Sequence, residues 1–273
     1  MVSPAAPADP VEPPSEAGAL LEVRDLSKRY SGLVALADYS LTLPAGWIHG
    51  VIGPNGAGKT TLFNLLSGMV RPTSGTIRLL GTEITHLPAH EVARLGIART
   101  FQNIRLFDDM SVIDNVKVAL QRRLPTTLWS TLASSRTFNE REAEIDARSV
   151  ELLDLVGLGD RRDRLAQSLP YGDQRRLEIA RAVAVNPKIL LLDEPNAGMS
   201  TAETGDLLAL IRRLRDELKI TIVLVAHDIP LVMNLCDRIQ VLNYGTLIAD
   251  GDPAAVRMDP EVIAAYLGQA RHA

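Results

Sequence analysis

A single cysteine, Cys236, stands among the 273 residues. That excludes a disulfide framework and a cysteine-rich zinc site, and it fits a reducing compartment. Excess charge of one sign is also missing: 29 Lys and Arg against 33 Asp and Glu leave a net charge of −4. No strongly basic face is available to hold nucleic acid by phosphate neutralisation, so nucleic acid is not an expected partner. Long hydrophobic runs are absent as well. Runs such as Ile189–Leu192 and Ile220–Ala226, the second broken by Thr221, fall far short of the ~20 residues a helical span needs. The N-terminus has neither the charged nor the apolar region of a secretory signal. Together these absences predict a soluble or peripheral protein of the cytosol.

What is present is a core. Apolar residues make up 46% of the chain, which rules out wholesale disorder. Residues 1–18 stand apart: Pro4, Pro7, Pro10, Pro13 and Pro14 are five of the 16 prolines, and the segment reads as a disordered Pro/Ala-rich tail. From Leu20 onward strand and helix alternate. Leu21–Tyr30, Trp47–Ile52 and Gly75–Leu80 read as strands, and Lys59–Ser67 as a helix closed by Gly68. The middle is helical: Ser111 and Asp114 form a capping-box variant opening a helix through about Leu120, and Asn139–Val156 follows. Pro125–Phe138 has no clear pattern. Then come helix Asp173–Val185, strand Ile189–Leu192, helix Ala202–Leu218, strand Ile220–Ala226 and helix Pro230–Leu235. Strands near Arg238–Leu242 and Leu247–Ala249 and one last helix read as a small appendix. Two α/β stretches around a helical block predict one parallel-sheet core with an insert.

Residues Gly53, Pro54, Asn55, Gly56, Ala57, Gly58, Lys59, Thr60 and Thr61 fit G-x-x-x-x-G-K-[ST]. The motif lies between a strand and a helix, as it must if backbone N–H groups and a helix N-terminus are to cradle phosphate. Lys59 is placed to reach the β- and γ-phosphates of ATP, and the Thr60 hydroxyl to ligate Mg²⁺. A second element supports this site. Ile189–Leu192 is an apolar strand that delivers Asp193 and Glu194 at its carboxyl end, where open α/β sheets bind ligands. Asp193 would hold Mg²⁺, and Glu194 would polarise the attacking water as general base.

Three further elements, in order, make the chain resemble the ATP-binding subunit of an ATP-binding-cassette (ABC) transporter over about residues 20–269. Gln102, in Ala98–Asn103, resembles the family's glutamine loop, which senses metal and water. Leu169–Ala182 resembles the signature segment, with Tyr171, Gly172 and Asp173 at its turn. His227 resembles the switch histidine that contacts the γ-phosphate, and Tyr30, 23 residues before Gly53, the aromatic that stacks on adenine. The resemblance implies an α/β P-loop NTPase fold with an antiparallel β subdomain, in a domain spanning 19–273 with a helical signature subdomain inserted at about 103–185.

Finer wording at Arg99–Gln102, Arg105–Phe107, Tyr171–Arg181, Glu194–Met199, His227–Met233 and Pro260–Gly268 resembles the branched-chain amino acid subfamily, whose close relatives carry urea or short amides. A soluble ABC ATPase outside transport, or a regulator that binds nucleotide without hydrolysis, are the other classes. The subfamily resemblance implies a second, similar but non-identical ATPase (or a second copy), two membrane permease subunits, an extracytoplasmic solute-binding protein and a place on the cytoplasmic face of the inner membrane. Two positions depart from the family pattern. Pro170 replaces the signature serine, removing a hydroxyl and an N–H, and Ser200 stands where an acid is usual. Cys236 reads as packing.

Overall fold

The computed structural model describes residues 18–121, 136–226 and 228–267. Residues 1–17 of the expected tail, most of Pro125–Phe138, and His227 lie outside the described residues. Two sheets organise the rest. Strands β1 (Ala19–Tyr30), β2 (Leu33–Pro44), β4 (Ser74–Leu79) and β5 (Thr82–Glu83) form an antiparallel sheet of order β2-β1-β4-β5. The larger sheet runs β10-β9-β3-β8-β7-β6. Its members are β3 (Ile48–Ile52), β6 (Ile97–Arg99), β7 (Ile189–Asp193), β8 (Thr221–Val225), β9 (Arg238–Asn243) and β10 (Thr246–Gly251). All its pairings are parallel except β9 with β10.

Every residue of β3, β7 and β8 is buried. This is why β7 and β8 are short, mainly apolar runs without alternation: both faces of a parallel sheet are covered. Successive residues feed different cores. Leu190, Leu192, Ile222 and Leu224 face a cluster built with α3 (Val112–Gln121), α4 (Arg136–Leu155), α5 (Tyr171–Ala184), α6 (Thr201–Leu218) and α7 (Ile229–Leu235). Ile189, Leu191, Val223 and Val225 face the antiparallel sheet and α1 (Lys59–Leu66), which contributes Leu62, Phe63, Leu65 and Leu66.

Local chemistry sets several helix starts. The Ser111 hydroxyl accepts from Asp114 N–H at 3.1 Å and donates to its carboxylate at 2.6 Å, opening α3. Asp228 caps α7, with Pro230 in the first turn. Asp252 caps α8 (Pro253–Met258) in the same way, in keeping with proline's fitness for that position.

Several features differ from the sequence expectation. The long strand β2 and the helix α2 (Ala89–Leu95) were not anticipated. The last strands are no appendix, because β9 pairs in parallel with β3, Gly50 opposite Ile239, and buries Ile239, Val241 and Leu242. The final helix is two, α8 and α9 (Pro260–Leu267), broken at Asp259 and Pro260, where proline removes a helix N–H. Cys236 is buried beside β3: a Cβ at Gly50 would lie 2.9 Å from its sulfur, and burial pushes the thiol pKa up. It is an inert packing group.

Candidate nucleotide site

The loop between β3 and α1 turns on glycines that nothing else can replace. Gly53 and Gly58 have φ of +149° and +102°, and a Cβ at either would lie 2.1 Å from the Leu242 carbonyl or 2.6 Å from that of Ala35. The neighbouring chains are locked onto the loop. Gly245 N–H donates to the Ala57 carbonyl at 3.0 Å, and Ala37 N–H to the Gly245 carbonyl at 2.8 Å. Lys59 folds its ammonium into this ring, donating to the carbonyls of Gly53 at 2.6 Å and Pro54 at 2.9 Å. Burial lowers its pKa, and the carboxylates of Glu194 and Asp193 oppose that shift.

A cavity of about 340 Å³ opens over the loop. Asn55 through Thr61 and Glu194 form its polar wall; Leu33, Val34, Ala35 and Tyr244 form the apolar one. Tyr30, the expected adenine platform, is not among the lining residues. It sits at the end of β1 with the Lys28 ammonium 5.0 Å from its ring centre. Tyr244 was missed by sequence reasoning. It lies in the β9–β10 turn with φ of +47° and is 83% exposed, so a turn brings it to the cavity with nothing in its own segment to signal that.

Asp193 ends β7, and Glu194 follows in the left-handed region at φ +46°, its N–H held by the Val225 carbonyl at 2.8 Å. A non-glycine residue there carries local strain of the kind found at functional sites. Gln102 donates its amide to Glu194 Oε2 at 3.1 Å, so the structure brings these two expected site residues together. Arg99, not anticipated, places its guanidinium 2.7 Å from the Asp193 carboxylate and 2.7 Å from Asn64 Oδ1 on α1. The donors expected for metal (the Thr60 hydroxyl, the Gln102 carboxamide and the Asp193 carboxylate) are all hard oxygens. Such a set fits Mg²⁺, which keeps waters and phosphate oxygens in its shell. Among the described residues no group of three or more His, Cys, Asp or Glu could hold a metal unaided.

Tyr171, Gly172 and Asp173 lie outside the cavity, at the start of α5. The Tyr171 ring rests 3.4 Å from where a Cβ of Gly198 would be, and a Cβ at Gly172 would meet Glu203 Oε1 at 2.7 Å. The Asp173 carboxylate pairs with Arg161 and Arg176. Pro170 occupies the cap position of α5 and gives it no side-chain hydrogen bond. Ser200 is likewise engaged within the chain: it caps α6 in a full capping box with Glu203, worth about 1 kcal/mol.

With this geometry in hand, the family described as ABC transporter matches residues 36–197, more than half the chain. The chain belongs to the ABC transporter family. It is therefore an ABC ATPase. A second family, described as branched-chain amino acid ATP-binding cassette transporter, matches residues 246–272 of this ATPase. The chain is 47% identical over 251 residues to the high-affinity branched-chain amino acid transport ATP-binding protein BraF of Pseudomonas aeruginosa, covering 92% of this chain and 98% of BraF. The same identity and shares hold for LivG of Escherichia coli, which carries the same description. The fold matches the ADP conformation of MJ1267, an ATP-binding cassette of an ABC transporter, with a TM-score of 0.79 and 28% identity over 92% of this chain and 99% of that one. Among the described residues of the ATPase, no helix is long and apolar enough to cross a membrane.

Proposed function

We infer that this ABC ATPase hydrolyses ATP to power an importer of branched-chain amino acids. The observation that carries the reading is the 47% identity to BraF and LivG across nearly the whole chain. The site's chemistry agrees with it. The loop Gly53–Thr61 cradles the phosphates, and Lys59 exchanges its two backbone carbonyls for phosphate oxygens when ATP arrives. Glu194, oriented by Gln102, takes a proton from water as the water oxygen bonds to the γ-phosphorus. The β–γ bridging bond breaks, and its electron pair leaves with ADP. Thr60, Asp193 and Gln102 are the residues that would hold Mg²⁺, which supplies positive charge against the phosphates. His227, by its resemblance to the switch histidine, would contact the γ-phosphate.

The signature turn lies outside this chain's own cavity, which supports a head-to-tail pair of ATPases. In such a pair the N-terminus of α5 faces the nucleotide held by the opposite subunit. Two permease subunits and an extracytoplasmic binding protein complete the assembly, with the ATPase peripheral on the cytoplasmic face of the membrane. The test is uptake of labelled leucine, urea and acetamide in cells lacking this chain, complemented with wild type or Glu194→Gln. Wild type restores leucine uptake and the variant does not. Urea or acetamide uptake alone would overturn the substrate, and equal behaviour of the two versions for every solute would overturn the transport role.

A further inference from the structure

Helix α5 carries an ion pair that the nucleotide chemistry does not require. Arg175 is fully buried, and its guanidinium lies 2.7 Å from the Glu178 carboxylate, one turn along the same face. Burying two charges is costly, and exchanging such a pair for apolar residues is often neutral for stability. What the pair does is more specific. Arg175 Nη1 donates to the Phe101 carbonyl at 2.6 Å, and its Nη2 donates to the Gln102 carbonyl at 2.9 Å. Phe101 N–H donates to Glu178 Oε1 at 3.2 Å. The main chain of Phe101 is thus held at both its N–H and its carbonyl, as a neighbouring strand would hold it, by two side chains of one helix. The planar fork of arginine makes this grip rigid. One further turn along, Arg181 donates to the Arg105 carbonyl and stands 4.6 Å from the Phe107 ring.

The held segment ends in Gln102, whose side chain reaches Glu194. The holding helix begins at Tyr171, the signature turn. We propose that Arg175 and Glu178 are positioning residues that bind the backbone of Gln102 to α5, so that the Gln102 amide meets the Glu194 carboxylate only while α5 keeps its place against the large sheet. Whatever contacts the signature turn is then reported to the catalytic carboxylate through one rigid helix and one peptide. The proposal rests on the reading of Glu194 as general base.

The test uses the full chain purified with its transport partners, measuring ATP turnover, KM for ATP and thermal unfolding. The double variant Arg175→Met with Glu178→Met keeps bulk and removes both charges together. It is expected to stay folded with KM within about twofold, while kcat falls roughly tenfold. Adding Gln102→Ala to it costs nothing more, because the effect already runs through Gln102. An unchanged kcat, or a Gln102→Ala loss of the same factor in both backgrounds, would overturn the proposal. If the double variant does not fold, Arg175→Lys decides. Lysine keeps the pairing with Glu178 but cannot fork to two carbonyls, so kcat drops roughly threefold at constant KM, and an undiminished kcat overturns the proposal. Glu194→Gln is the control: if it hydrolyses ATP at the wild-type rate, the reading of Glu194 has failed rather than the clamp.

Discussion

Arg99 and Asp193 form a nearly closed pair, 2.7 Å apart with side chains only 7% and 8% exposed. The guanidinium is also flanked by Phe63 and Phe101, at 5.5 and 5.3 Å from the ring centres. It joins the end of β6, the end of β7 and, through Asn64, helix α1. The acid expected to sit near the metal is therefore fixed by a residue of the same segment as Gln102. Removing Arg99 leaves the Asp193 carboxylate without its cation.

Arg99→Met is accordingly expected to cost about 3 kcal/mol, the usual penalty for breaking one side of a buried pair. For a domain of this size that lowers Tm by roughly 6–12 °C. Thermal unfolding of purified wild type and variant checks it. A variant as stable as wild type would mean that solvent reaches Asp193 freely.

Pro170→Ser tests the departure in the signature. The serine regains the hydroxyl and N–H that proline lacks, and it also places a good cap before α5, worth about 1 kcal/mol. We expect an altered ATPase rate in the assembled transporter together with a small rise in Tm. A rise in Tm with no change in rate would show that the signature hydroxyl has no part in turnover here.

His49 gives a pH prediction. It is buried in β3 with Nε2 3.3 Å from Gln240 Oε1, and burial depresses its pKa to about 4 despite the pull of Asp250. A histidine held neutral when folded stabilises the fold fully above its unfolded pKa of about 6.5, and that stability is lost as pH falls toward 4. Denaturant unfolding from pH 7 to 4 should show wild type losing about 3 kcal/mol more than His49→Gln. Parallel pH profiles for the two would mean the imidazole is not desolvated.

The motif residues of the candidate nucleotide site were legible because each is bound to its local context. Gly53–Thr61 needs a strand before it and a helix after it, and β3 and α1 supply both. Strands β7 and β8 were legible for a related reason: burial on both faces leaves a plain apolar run. Strand β2 was not. It alternates only from Asp38 onward and is shifted against β1 at several bulges, so its period is broken where a pattern would be sought. Charged residues misled in another way. Arg99, Arg175 and Glu178 look like solvated positions in a sequence, and only the fold reveals that each is buried against a partner.

The sequence by itself determined the motifs expected to carry the chemistry of this ABC ATPase: a loop with glycines at fixed spacing, a lysine, two carboxylates ending an apolar strand, and the order of the motifs between them. These are local constraints, set by backbone conformation and strand burial over a few residues. Tertiary structure decided what those groups touch. The parallel pairing of β9 with β3, the approach of Tyr244 to the cavity, the contact of Gln102 with Glu194 and the grip of α5 on Phe101 all join residues far apart in the chain. Such contacts depend on how sheets and helices pack as whole bodies, and no short window of sequence encodes that packing.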